Sequence, residues 1–108
     1  MNTELTALHE ALKDSKAAEY FVKHPISGPG RLTLESPHAD TVTNDNNLPI
    51  HIEVDKNNPG RFTYMALTNE YSGNPYAYHR IEGKKNVTTE EIIEVVYRLL
   101  KPFSRYQQ

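Results

Sequence analysis

Leu48 to Thr68 reads LPIHIEVDKNNPGRFTYMALT, two extended runs around a break at Lys56 to Gly60. In the first run Leu48, Ile50, Ile52 and Val54 alternate with Pro49, His51, Glu53 and Asp55, the pattern of an antiparallel strand buried on one face only. If the loop is Lys56 to Gly60, Asp55 faces Arg61, and Val54, Ile52 and Ile50 face Phe62, Tyr64 and Ala66. A loop shorter by one residue would set Val54 against Thr63. Such a slip turns every side chain to the wrong face, so apolar pairing selects the longer loop. The hairpin then has an apolar inner face and an outer face carrying His51, Glu53, Met65 and Leu67.

Downstream, a turn at Gly73 to Pro75 leads into Tyr76 to Glu82, the next strand of a meander spanning 48–82. Its register has two readings. In one, Tyr76, Tyr78 and Arg80 join the outer face beside His51, Met65 and Leu67; in the other, Ala77, His79 and Ile81 do. Upstream, the turn-forming run Pro25 to Gly30 precedes Arg31 to Glu35, where Leu32 and Leu34 alternate as in a short strand. Ser36 to Asn47 is read as a loop, with a brief strand expected at Thr41 to Thr43.

Helices are expected at both ends. Leu5, Leu8, Ala11 and Leu12 form one stripe from a start near Thr3. That phase fails at Asp14-Ser15, where a kink or a second short helix carries Ala17, Ala18, Phe21 and Val22 before Pro25. At the other end Thr88 and Glu91 make a capping box, Val87 and Ile92 the staple around it, and Ile92, Val95, Val96, Leu99 and Leu100 the buried stripe that Pro102 stops. The expected architecture is a single α+β domain over 1–108: an antiparallel sheet of three to four strands, with a kinked N-terminal helix and a C-terminal helix on one face.

With 108 residues, no cysteine and a formal charge of −2, the chain excludes disulfides, thiolate metal sites and cysteine nucleophiles, and lacks the charge of a polycation binder. Neither a secretory leader nor a long apolar run is present, so a soluble, cytoplasmic protein is expected. His51, Glu53 and Asp55 share a strand face that His38 and Asp40 could approach. These are metal-ligand types without metal-ligand spacing, so no metal or cofactor is expected. The serines stand in no nucleophile context, Gly28-Pro29-Gly30 is no phosphate cradle, and Glu90-Glu91 suits a helix N-terminus. Asn86-Val87-Thr88 matches a glycosylation acceptor but is read as the helix cap.

Aromatic residues concentrate between Phe62 and Tyr78, followed by Arg80, Lys84 and Lys85. Aromatics on a sheet with flanking cations can stack bases, so Tyr76, Tyr78, Arg80, Lys84 and Lys85 define a nucleic-acid-binding alternative. The element order is similar to that of double-stranded-RNA-binding domains, but the last helix begins with acids where such domains place cations. Topology alone assigns no family. The preferred expectation is a small non-enzymatic protein-binding protein of the inhibitor, immunity or adaptor type. A bacterial or phage setting is expected from the size and the lack of cysteine. Its candidate surface is His51, Glu53, Met65, Leu67, Tyr76, Tyr78 and Arg80, since tyrosine, methionine and arginine bring apolar area with a polar end. A sheet edge offers a second route, to a homodimer. The third class is a small metal- or ligand-dependent enzyme.

Overall fold

The hairpin forms in the register that its apolar residues dictate. A computed structural model of the chain describes residues 3–21, 27–28, 30–35, 48–68 and 78–102. In it β3 (Ile50–Val54) pairs with β4 (Phe62–Thr68) so that Ile50 meets Ala66, Ile52 meets Tyr64 and Val54 meets Phe62. Two further antiparallel strands precede the hairpin, β1 (Ser27–Gly28) and β2 (Arg31–Leu34), and one follows it, β5 (His79–Val87). The sheet is a five-stranded meander in the order β1-β2-β3-β4-β5.

Both helices cover one face. α1 (Thr3–Lys13) lies over β2 and β3, and α2 (Thr89–Leu100) over β4 and against α1. Between them Leu5, Leu8 and Leu12 of α1 and Ile92, Val96 and Leu100 of α2 bury the inner residues Leu32, Leu34, Ile50, Ile52, Phe62 and Ala66. Removing this apolar area from water is the main favourable term, at roughly 25 cal/mol per Å2.

The expected helix break falls at Asp14 and Ser15. α1 ends at Lys13, where the Ser15 hydroxyl donates to the Leu12 carbonyl at 2.7 Å and accepts from the Ala17 amide at 3.1 Å. The chain then makes a single 3-10 turn, Ala18–Tyr20, rather than a kinked continuation of the helix. It still delivers Ala17 and Phe21 to the core. At the other end the capping box is complete: the Glu91 amide donates to Thr88 Oγ1 at 3.1 Å and the Thr88 amide to Glu91 Oε1 at 3.2 Å. Val87 and Ile92 are both buried, as the staple requires.

The expected strand at Tyr76 to Glu82 is displaced. β5 begins at His79 and runs to Val87, directly into the Thr88 cap. Two irregularities in its pairing with β4 explain the displacement. Ala66 faces Glu82 while Leu67 faces Arg80, leaving Ile81 as an extra residue; Tyr64 faces Lys84 while Phe62 faces Val87, leaving a second extra residue near Asn86. Each insertion breaks the period-two pattern by which a strand is recognised. Asn86 takes the left-handed conformation, with φ of 58°. The brief strand expected at Thr41 to Thr43, the Ser36 to Asn47 loop and the Gly73 to Pro75 turn lie outside the described residues.

Asp55 corrects a second expectation. It is buried rather than displayed on the outer face, and its carboxylate organises the turn. Oδ1 accepts from the Asn57 amide at 2.9 Å and Oδ2 from the Asn86 amide at 2.8 Å, so one side chain ties the β3–β4 loop to the bulge of β5. The carboxyl is held below its ordinary range, foremost by the Asn57 amide, against the opposing effect of burial and with the Asn86 amide adding to the shift.

Two measurements check this build. Ile52→Ala should cost about 2–5 kcal/mol in urea unfolding, as a fully buried aliphatic does; a cost below about 1 kcal/mol would contradict the inner-face assignment. For Asp55, a depressed native pKa means its stabilisation is complete above the unfolded-state value near 4 and is lost as pH falls through the lower native value. Asp55→Asn should therefore lower the melting temperature at neutral pH and flatten the acid limb of the stability curve below about pH 4. Parallel acid limbs in parent and variant would exclude this role.

Candidate functional site

Strand alternation sends Arg31 and Thr33 of β2, His51 and Glu53 of β3, and Thr63, Met65 and Leu67 of β4 to the face opposite the helices. Leu67 pairs with Arg80 and Met65 with Gly83, which carries the same face onto β5. Arg31, His51, Glu53, Thr63, Tyr64, Met65, Arg80, Lys84 and Lys85 together line a groove of about 200 Å3.

The chemistry of the groove is cationic around an apolar centre. Arg31 makes a long 3.4 Å contact with Glu53, both half-exposed, and Lys84 reaches over the edge to Glu91 of α2 at 3.6 Å. The side chains of Arg80 and Lys85 have no ion pair or hydrogen bond among the described residues. The only large apolar side chains exposed among those residues are Met65, at 36 %, and Ile81, at 44 %. His51 is half-buried, and its Nδ1 lies 2.9 Å from Thr33 Oγ1. Its pKa is lowered, first by partial burial and then by the Arg31 charge, against Glu35 and Glu53, so its neutral form is favoured.

Gly83 shapes the β5 side of the groove. A Cβ built on it would lie 2.8 Å from Arg80 Nη2, 3.1 Å from Arg80 Cζ and 2.9 Å from the Tyr64 carbonyl oxygen. The guanidinium therefore occupies the space that a side chain at 83 would fill, lying over the strand backbone. A glycine inside a strand often marks such a close approach.

The neighbouring Tyr64 turns the other way. It is buried, and its hydroxyl donates to Glu82 Oε2 at 2.6 Å, while Arg98 of α2 grips both oxygens of Glu82 at 3.0 and 2.7 Å. Burial, and then Glu82, push the Tyr64 pKa up to about 12, whereas Arg98 foremost holds Glu82 below its ordinary range. This network fastens β5 to α2 and leaves β4's tyrosine unavailable for outward stacking.

Of the expected surface residues, His51, Glu53, Met65, Leu67 and Arg80 share the outer face. Tyr78 is half-buried just ahead of β5, and Tyr76 lies outside the described residues. Lys84 and Lys85 do not form one stripe, because Lys84 is opposite the inward Tyr64 and paired with α2. Arg31, Thr63 and Gly83 were not anticipated as a group with Met65, and Ile81, which the second register puts beside Met65, stands instead as the extra residue of the bulge. The available signal was the isolated Gly83 within a strand-like run. Among the described residues no cluster of His, Asp and Glu is arranged to hold a metal ion, and His38 and Asp40 fall outside them.

β5 is also an edge of the sheet. Its two bulges and its run of Arg80, Lys84 and Lys85 interrupt a straight row of backbone donors and acceptors, which are the features that discourage strand addition.

The fold and face together define a small α+β domain with helices on one side of a meander and a cationic, methionine-centred groove on the other. Compared with protein-family models, with curated proteins and with solved structures, the chain finds no match. No helix among the described residues is long and apolar enough to cross a membrane.

The Gly83 contact yields a test. Gly83→Ala should destabilise the domain by about 1–3 kcal/mol, the usual cost of forcing atoms into occupied space. Adding Arg80→Ala should restore only part of it, because the Tyr64 carbonyl remains in the way. Full restoration in thermal melts would mean the crowding is with Arg80 alone.

Proposed function

We propose that this is a non-enzymatic protein-binding domain that engages another protein through the outer face of its sheet, in an inhibitor, immunity or adaptor role. A bacterial or phage setting is part of the same reading. The observation that carries it is the exposed Met65 lining one groove with Arg80, a cation laid over bare backbone that makes no ion pair among the described residues. Arginine and methionine surrounding a desolvatable centre are what protein interfaces favour.

The nucleic-acid alternative is less well supported. Base stacking needs an aromatic facing outward, and Tyr64, the aromatic nearest the groove, is turned inward and hydrogen-bonded. At the β5 edge, pairing with a second copy is discouraged by the bulges and lysines of that strand.

Photo-crosslinking tests this reading. With benzoylphenylalanine replacing Met65, crosslinking in native-host lysate should give a discrete protein adduct that is missing when the probe replaces Glu4 on α1, an exposed position away from the face. Equal labelling from both positions, or a nuclease-sensitive adduct, would overturn it.

A further inference from the structure

We infer that the partner docks an acidic, apolar segment: its carboxylates enter between Arg80, Lys85 and Arg31, and an apolar side chain covers Met65. The inference rests on the protein-binding reading above and names the chemistry of its occupant.

Charge complementarity points to an anion. The chain as a whole carries −2, yet the groove gathers Arg31, Arg80, Lys84 and Lys85 against Glu53 alone. Lys84 is already turned to Glu91, but Arg80 and Lys85 have no counter-charge among the described residues. Four cations converging over a face with a single carboxylate raise the local potential and favour a negative visitor.

The position of Arg80 points to a carboxylate. Because Gly83 lacks a side chain, the guanidinium lies in the space above the strand rather than standing out from it, beside the Met65–Gly83 pair. A guanidinium's fixed fork of N–H donors suits a carboxylate, which it can grip through two parallel hydrogen bonds. The nearest carboxylate on the face, Glu53, is engaged with Arg31 at 3.4 Å, a long and exposed contact that an incoming acid can displace.

The apolar floor calls for a second kind of group. Met65 remains exposed within the cationic surround. A purely ionic ligand would leave it wet, whereas a segment alternating acidic and apolar side chains would satisfy both kinds of group.

The test uses fluorescence anisotropy on the full chain with three labelled probes: a short peptide alternating glutamate and leucine, its lysine-and-leucine counterpart, and an oligothymidylate. Saturable binding is expected for the glutamate–leucine peptide alone. Arg80→Ala should weaken it about tenfold, the loss of one charge-assisted group, and Arg80→Glu should abolish it. Glu53→Gln should tighten it by removing the competing carboxylate. Thermal melts should show Arg80→Glu folded, since Arg80 is exposed. Equal binding of the two peptides, preference for the oligothymidylate, or indifference to Arg80→Glu would each overturn the inference. If the residue-65 adduct forms but is unaffected by Arg80→Glu, the acidic occupant is wrong while the protein-binding reading stands. If neither adduct nor peptide complex forms, both fall.

Discussion

The Asp55 carboxylate is the constraint on which the rest of the architecture turns. One oxygen closes the loop that follows β3, and the other takes the amide of Asn86 at the far end of β5. Neither contact is long-range in energy, but each fixes backbone that is otherwise free to slide. With the loop closed, Ile50 to Val54 can meet only one set of partners on β4. With Asn86 held in its left-handed conformation, β5 must end at Val87 and pass directly to the Thr88 cap. A buried anion satisfied by backbone amides thus links three strands to the helix that covers them.

That arrangement decides what the outer face can be. The bulges displace the β5 side chains from strict alternation, setting Arg80 opposite Leu67, Gly83 opposite Met65, and Glu82 toward the helices. Glu82 then fastens β5 to α2 through Arg98 and Tyr64, so the face is mounted on a braced strand. The groove is a by-product of bracing on the other side of the sheet. Of the strand acids nearby, Glu82 is committed to Arg98 and Tyr64 and Glu53 to Arg31, which leaves Arg80 and Lys85 without an ion pair among the described residues.

Much of the fold was legible in the sequence because its signals were strong and local. Apolar pairing across Lys56 to Gly60 gave the hairpin register, Thr88 and Glu91 gave the helix start, and Ser15 marked the break after α1. Strand β5 was not legible in its bounds. Its residues 79–87 hold only Ile81 and Val87 as apolar positions, and the two insertions destroy the period that would have revealed it. Asp55 was misplaced for a related reason: parity puts it on the outer face, but the strand ends at Val54, and beyond that point turn geometry governs. For the site, the β3 and β4 contributions followed from alternation, whereas the meeting of Arg80 with Gly83 needed the bulge to be known.

Gly83 and Arg80 are touching neighbours that answer to different demands. The glycine is required by the Tyr64 carbonyl, which would crowd any side chain whether or not an arginine lay above it. The arginine side chain makes no ion pair or hydrogen bond among the described residues. Across descendants of this chain, position 83 should therefore change only when the sheet itself is rebuilt, while position 80 is free to follow the molecule it meets. A lineage that keeps the glycine and exchanges the arginine would have kept its architecture and changed its allegiance.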